Sequence, residues 1–176
     1  MATQVAPTPV TTPETAAKQR AVRIREQLSY VGTIAEMAAL VADPAQAGRS
    51  FEVSQDVFAH YTAKLRLLPQ RPDDVDRVNA MLDINLPQDT TMAMTGEVTC
   101  PACSHRFSFA DHLASVLRMG MHMKEHLARL LTSDHYVLTV ATHTPREMMC
   151  PQCGTTSLFA RYCYQTAGYA YASEGQ

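Results

Sequence analysis

Apolar residues recur at three- and four-residue spacing through the first half of the chain, which predicts helices there before any chemistry is considered. Val22, Ile24, Leu28, Val31, Ile34, Ala38 and Val41 predict one long amphipathic helix. Thr12 is placed to cap it with Pro13 at its first position, Asp43-Pro44 to end it, and Gly32 to bend it midway. Ser54 caps a second predicted helix carrying Val57, Phe58, Tyr61, Leu65 and Leu68, stopped by Pro69. Pro72-Asp73-Asp74 opens a third with Val75, Val78, Met81 and Leu82. Residues 84–95, with Pro87 and a Thr/Met run, read as a connector.

The pattern changes after residue 95. Glu97–Cys100 and His105–Phe109 read as short strand-like arms. Ser108 with Asp111 three residues later forms a capping-box signal for a helix running to about Leu131, with Leu113, Val116, Met123, Leu127 and Leu130 on one face. Tyr136–Ala141 is strand-like by its β-branched and aromatic content, and Thr155–Tyr164 alternates Leu158, Ala160, Tyr162 and Tyr164 on one side. The predicted class is α+β. A disordered arm over 1–13 is followed by a helical region over 14–83, the connector, a β unit with an inserted helix over 96–165, and a flexible tail over 166–176.

Composition narrows the function classes. In 176 residues, 46% apolar content suffices for a core, and a net charge of −2 gives no whole-chain attraction for a polyanion. No apolar run approaches the roughly 20 residues of a membrane span. The first thirteen residues lack the basic and apolar stretches of a secretory signal, so a cytoplasmic protein is expected.

Four of the five cysteines stand as two matched pairs, Cys100-Pro-Ala-Cys103 and Cys150-Pro-Gln-Cys153. Two such turns supply four thiolates, the ligand set that closes a tetrahedron around Zn²⁺ with no position left for substrate. One structural Zn²⁺ on Cys100, Cys103, Cys150 and Cys153 is therefore expected, with Cys163 a buried spectator thiol. Gly154 follows the second pair, where positive φ turns amides toward sulfur, whereas Ser104 follows the first and predicts a strained or different turn.

Over about residues 96–165 this layout resembles a zinc ribbon. The two pairs also resemble those of small bacterial proteins with paired C-P-x-C motifs. The stretch Arg146–Thr155, with the long insert between pairs, is similar to the small zinc-bearing subunit of acetone-carboxylase-type enzymes. That last resemblance implies an accessory role, with catalytic centres on other subunits.

Other chemistries are spelled in the same half. Cys150–Gly154 looks like half of a rubredoxin, which would hold iron, although Ser104, the long insert and the lack of Trp speak against it. His122-Met-Lys-Glu-His126 spells the H-x-x-E-H peptidase motif, and six of seven histidines lie after residue 96, near Met119, Met121 and Met123, so a second metal is a candidate. Arg106, Arg118, Lys124, Arg129, Arg146 and Arg161, beside Phe107, Phe109, Phe159 and Tyr162, would suit nucleic acid if folding gathered them. The expected function is a structural-zinc module acting as a protein-interaction or accessory subunit of a larger protein complex. A nucleic-acid regulator and a redox-metal protein are the alternatives.

Overall fold

A computed structural model of the protein describes residues 28–142, 144–159 and 164–174. The chain has an α+β fold, with three α-helices among the described residues before the first cysteine pair. The long helix predicted up to Asp43 is replaced in its described part by β1 (Tyr30–Val31) and α1 (Ile34–Ala42). Thr33 is the reason. Its hydroxyl accepts the Glu36 amide at 3.3 Å while its own amide donates to Glu36 Oε2 at 3.0 Å, a capping box that starts a helix just after Gly32. The rest of that predicted helix, residues 12–27, lies outside the described residues, as does the arm over 1–13.

Asp43 then caps a 3₁₀ turn (Pro44–Gln46) that leads into β2 (Ser50–Val53). Ser54 caps α2 (Gln55–Thr62) as predicted, but α2 ends before Leu65 and Leu68. Leu68 instead donates its amide to the Met94 carbonyl at 2.8 Å, a tertiary bond that competes with helix continuation. Helix α3 (Asp74–Leu82) follows and ends at Asp83, whose φ is 56°.

The region predicted as one helix over 108–131 is two helices. Ser108 and Asp111 form the predicted capping box at the start of α4 (Phe109–Arg118), and α5 (Lys124–Leu131) begins after a break at Gly120, where φ is +65°. The break lets both helices face one core, since Leu113, Val116 and Leu127 cluster with Val75, Val78 and Leu82 of α3. Inside the predicted connector, β3 (Met92–Met94) enters the same cluster through Met92.

β4 (Tyr136–Val140) is the strand predicted from its β-branched residues. Downstream lie β5 (Arg146–Met149), β6 (Thr156–Phe159), β7 (Tyr164–Thr166) and β8 (Tyr169–Ala172). The predicted strand 155–164 is thus divided between β6 and β7, and residues 160–163, with Cys163, lie outside the described residues. The predicted tail is a correction. Ala170, Tyr171 and Ala172 are buried in β8, which pairs with β4 and brings both alanines into the core.

β8 completes a four-stranded sheet of order β1-β2-β4-β8. β2 runs antiparallel to β4 with Phe51 opposite Leu138, and β4 runs parallel to β8 with Leu138 opposite Ala170. Met37 from α1 and Val57, Phe58 and Tyr61 from α2 join Leu138 and Ala172 in one core, so the helices of the first half pack on strands from both sides of the cysteine pairs. β3 pairs with β7, β5 with β6, each antiparallel. Among the described residues no helix is long and apolar enough to cross a membrane.

Gly168 turns β7 into β8 and gives its carbonyl to Val137 N at 2.8 Å. A Cβ there would sit 2.8 Å from the His135 carbonyl oxygen, which is backbone. Gly168→Ala is therefore expected to destabilise the fold by about 1–3 kcal/mol, read as a lowered urea midpoint with an unchanged m-value.

Candidate metal centre

Each cysteine pair sits in a turn of the same construction. Cys100 donates its amide to the His105 carbonyl at 2.8 Å, and Ser104 donates to the Cys100 carbonyl at 2.9 Å. Cys150 donates to Thr155 at 2.9 Å, and Gly154 to Cys150 at 2.9 Å. The residue after each second cysteine is left-handed, with φ of 59° at Ser104 and 77° at Gly154. Of the two outcomes expected at Ser104, a different turn is not found, and the strained one is: serine takes the left-handed conformation that glycine takes in the second turn. A non-glycine residue in this region costs about 1–2 kcal/mol, and the two amide bonds of the turn hold the exposed Ser104 there.

The two turns face each other. The first is carried by a β-bridge between Thr99 and Arg106, the second by the β5–β6 hairpin. The Cys100 and Cys153 sulfurs are 3.6 Å apart, as are those of Cys103 and Cys150, and all four lie within 4.8 Å of one another. A disulfide needs about 2.05 Å, so these are free thiols. Sulfurs at about 2.3 Å from one tetrahedral Zn²⁺ stand about 3.8 Å apart, so the cluster has the size of a four-thiolate cage. Cys100 and Cys150 are buried among Met94, Val98, Phe107 and Met148, while Cys103 is half-buried and Cys153 exposed.

The thiols differ in acidity. Thr155, through its hydroxyl and its amide, holds Cys153 down to about 6. At Cys103 a backbone hydrogen bond from His105 lowers the value, but burial and the neighbouring sulfurs outweigh it and push the thiol up to about 12. An apolar wall around several sulfurs opposes their joint ionisation, and a divalent cation reverses that by replacing the protons.

The other sequence candidates separate. His122 precedes α5 and His126 lies inside it, so H-x-x-E-H does not lie on one helix; the two rings stack at 5.7 Å. Among the described residues the four cysteines are the only group of three or more His, Cys, Asp or Glu placed to hold a metal ion, and His143 lies outside those residues. Three of the basic residues are engaged within the fold: Arg106 pairs with Glu97 at 2.5 Å, Arg118 donates to the Pro151 carbonyl at 3.3 Å, and Arg146 stacks over Tyr171 at 4.8 Å. Phe107 and Phe109 are buried, and Phe107 meets Phe159 at 5.6 Å, which is packing within the fold. Arg161 and Tyr162 lie outside the described residues.

Sequence reasoning missed a charged network directly behind the first turn. Asp74 and Asp111 are both 1% exposed. Arg77 lies 3.4 Å from Asp74 Oδ1 and donates to Asp111 Oδ1, Ser108 Oγ donates to Asp74 Oδ1 at 2.7 Å, and the His105 ring sits 2.9 Å from Asp111 Oδ2. Burial pushes the Asp111 carboxyl up, but Arg77, the Ser108 amide and His105 outweigh it and hold the group below the usual carboxylate range. Burial wins at Asp74, which lies above that range. The Ser108–Asp111 cap was legible; its bonds to α3 were not, because they exist only once α3 and α4 lie side by side.

A family described as Domain of unknown function (DUF8243) matches residues 46–171, which include all four cysteines and the network. No curated protein and no solved structure matches the chain.

Asp111→Asn is expected to cost about 3 kcal/mol at neutral pH, because Arg77 and His105 lose a charged acceptor. The folded pKa of Asp111 is lowered, so its contribution is present above the unfolded value and is lost as pH falls through the folded one. The gap between wild type and variant should close on acidification. Asp74 carries the opposite sign, and Asp74→Asn should be better tolerated at neutral pH than in acid. Urea midpoints measured from about pH 3 to pH 7 separate the two trends.

Proposed function

We propose that this chain, which belongs to the DUF8243 family, is a zinc-ribbon-like module whose Cys100, Cys103, Cys150 and Cys153 hold one structural Zn²⁺, and that it serves as an interaction or accessory subunit of a larger protein complex. The single observation carrying the reading is the cage of four sulfurs within 4.8 Å, built by two turns of matching geometry. Four soft thiolates suit Zn²⁺ and leave it no open position for substrate, so the ion would act on folding rather than on a reaction. It would tie the arm at Cys100 to the hairpin at Cys150, with a free energy on the order of 10 kcal/mol. The reduced thiols fit a cytoplasmic setting.

The docking part of the reading draws on the resemblance of Arg146–Thr155 to the small acetone-carboxylase-type subunit and on Leu158. That side chain is 66% exposed on the outer face of the hairpin and offers a contact to a partner. One observation favours a second reading, iron in place of zinc. Ser104 and Gly154 adopt the same left-handed turn, which removes the difference that spoke against a rubredoxin-like site.

Purification from the native source, with metal analysis and mass spectrometry of whatever accompanies the chain, tests these readings. One zinc per chain, a colourless protein and a stoichiometric protein partner are expected. Red protein with iron moves the assignment to the second reading, and co-purified nucleic acid removes the docking role. The double variant Cys100→Ser, Cys153→Ser should lose the metal and unfold, so a variant that folds and binds the partner as wild type does sinks the proposal. Zn²⁺ affinity should rise with pH through the neutral range, because thiol protons must leave as the ion binds.

A further inference from the structure

The four cysteines of the cage differ in what can reach them. Cys100 and Cys150 are 2% and 0% exposed, Cys103 is half-buried, and Cys153 is the exposed member. A sulfur held by a divalent cation is a thiolate, so it keeps the nucleophilic form of cysteine while it serves as a ligand. Among thiolates that share one ion, solvent access then decides which of them a small oxidant meets first. That residue is Cys153.

Neighbours set the second step. Cys153 Sγ is 3.6 Å from Cys100 Sγ, and Cys103 Sγ is 3.6 Å from Cys150 Sγ, so each contact joins one turn to the other. A disulfide needs about 2.05 Å, and closing either pair calls for a movement of about 1.5 Å, on the scale of a side-chain rotation. The two pairs are 53 and 47 residues apart in the chain. Bonds between them would fasten the arm at Cys100 to the β5–β6 hairpin, whereas a bond inside either C-x-x-C turn would leave those segments separate.

We infer that the cage is an oxidation site for a peroxide, in which Cys153 is oxidised first and resolved by Cys100, and Cys103 then pairs with Cys150, so that two cross-turn disulfides replace the ion as the tie between arm and hairpin. The departure of the ion rests on the metal reading above; the pairing of the sulfurs does not. In the first step the Cys153 thiolate takes one oxygen of hydrogen peroxide, the O–O bond breaks, and the other oxygen leaves as hydroxide and is protonated to water. Cys153 is left as a sulfenic acid. The Cys100 thiolate attacks that sulfur, the S–O bond breaks, and hydroxide leaves and takes up a proton as a second water. Two electrons thus pass from two sulfurs to one peroxide, and a second peroxide does the same for Cys103 and Cys150. Each disulfide removes two anionic ligands, and the ion departs.

Stepwise addition of hydrogen peroxide to the full-length chain loaded with Zn²⁺ tests this, with a colorimetric chelator reading released zinc, dimedone trapping sulfenic acid and mass spectrometry of non-reduced peptides mapping the bonds. Dimedone on Cys153 is expected, with a Cys100–Cys153 bond ahead of a Cys103–Cys150 bond, zinc release in step with them, and zinc binding restored by dithiothreitol. The oxidised, metal-free chain should keep a cooperative urea transition that the reduced, metal-free chain lacks. Dimedone on another cysteine before Cys153, bonds within either C-x-x-C turn, Cys153 bonded to Cys163, or zinc and free thiols retained in excess peroxide overturns the inference. A chain that takes up no zinc counts against the metal reading alone, since the same map made on the reduced, metal-free chain still decides the pairing.

Discussion

Four sulfurs held within 4.8 Å of one another form an arrangement that an apolar wall alone would not favour once the thiols ionise. Cys100 and Cys150 are buried, and the turn amides bond to backbone carbonyls, so the turns themselves are fully built. What the turns leave unsatisfied is the charge of the sulfurs. A cation of the right size resolves that constraint, and the segments that carry the sulfurs then become parts of one body. The cluster is where a strand arm and a hairpin separated by α4, α5 and β4 meet.

Behind that cluster the charged network extends the tie into the helical half. His105 serves both sides: its carbonyl accepts the Cys100 amide, and its ring meets Asp111. Asp111 caps α4 and receives Arg77 from α3, so one carboxylate links a cysteine turn to two helices. The same network leaves Asp74 with one satisfied oxygen and one that is not.

The core is assembled without regard to the boundary that composition suggested. Strand β8, from the segment predicted as a flexible tail, pairs with β4 and packs with α2 in one core. Strand β1, from a stretch whose apolar spacing read as helix, pairs with β2. Both are short strands at sheet edges, and strands of two to four residues carry too little periodicity to be told from other segments. In both cases the deciding contact is made with a partner far away in the chain.

Sequence alone determined the elements with strong local causes. Ser54 and Ser108 cap helices, Asp43-Pro44 ends one, the β-branched run of Tyr136–Val140 makes a strand, and the two C-P-x-C turns supply the sulfurs. Each depends on bonds spanning three to five residues, which composition and spacing encode directly. Tertiary structure decided the rest. It divided the 108–131 region into two helices that face one core, engaged Arg106, Arg118 and Arg146 within the fold, and joined Asp74, Arg77, Asp111 and His105. Those outcomes depend on which surfaces meet, and the energies of meeting outweigh the fraction of a kcal/mol by which local propensities differ.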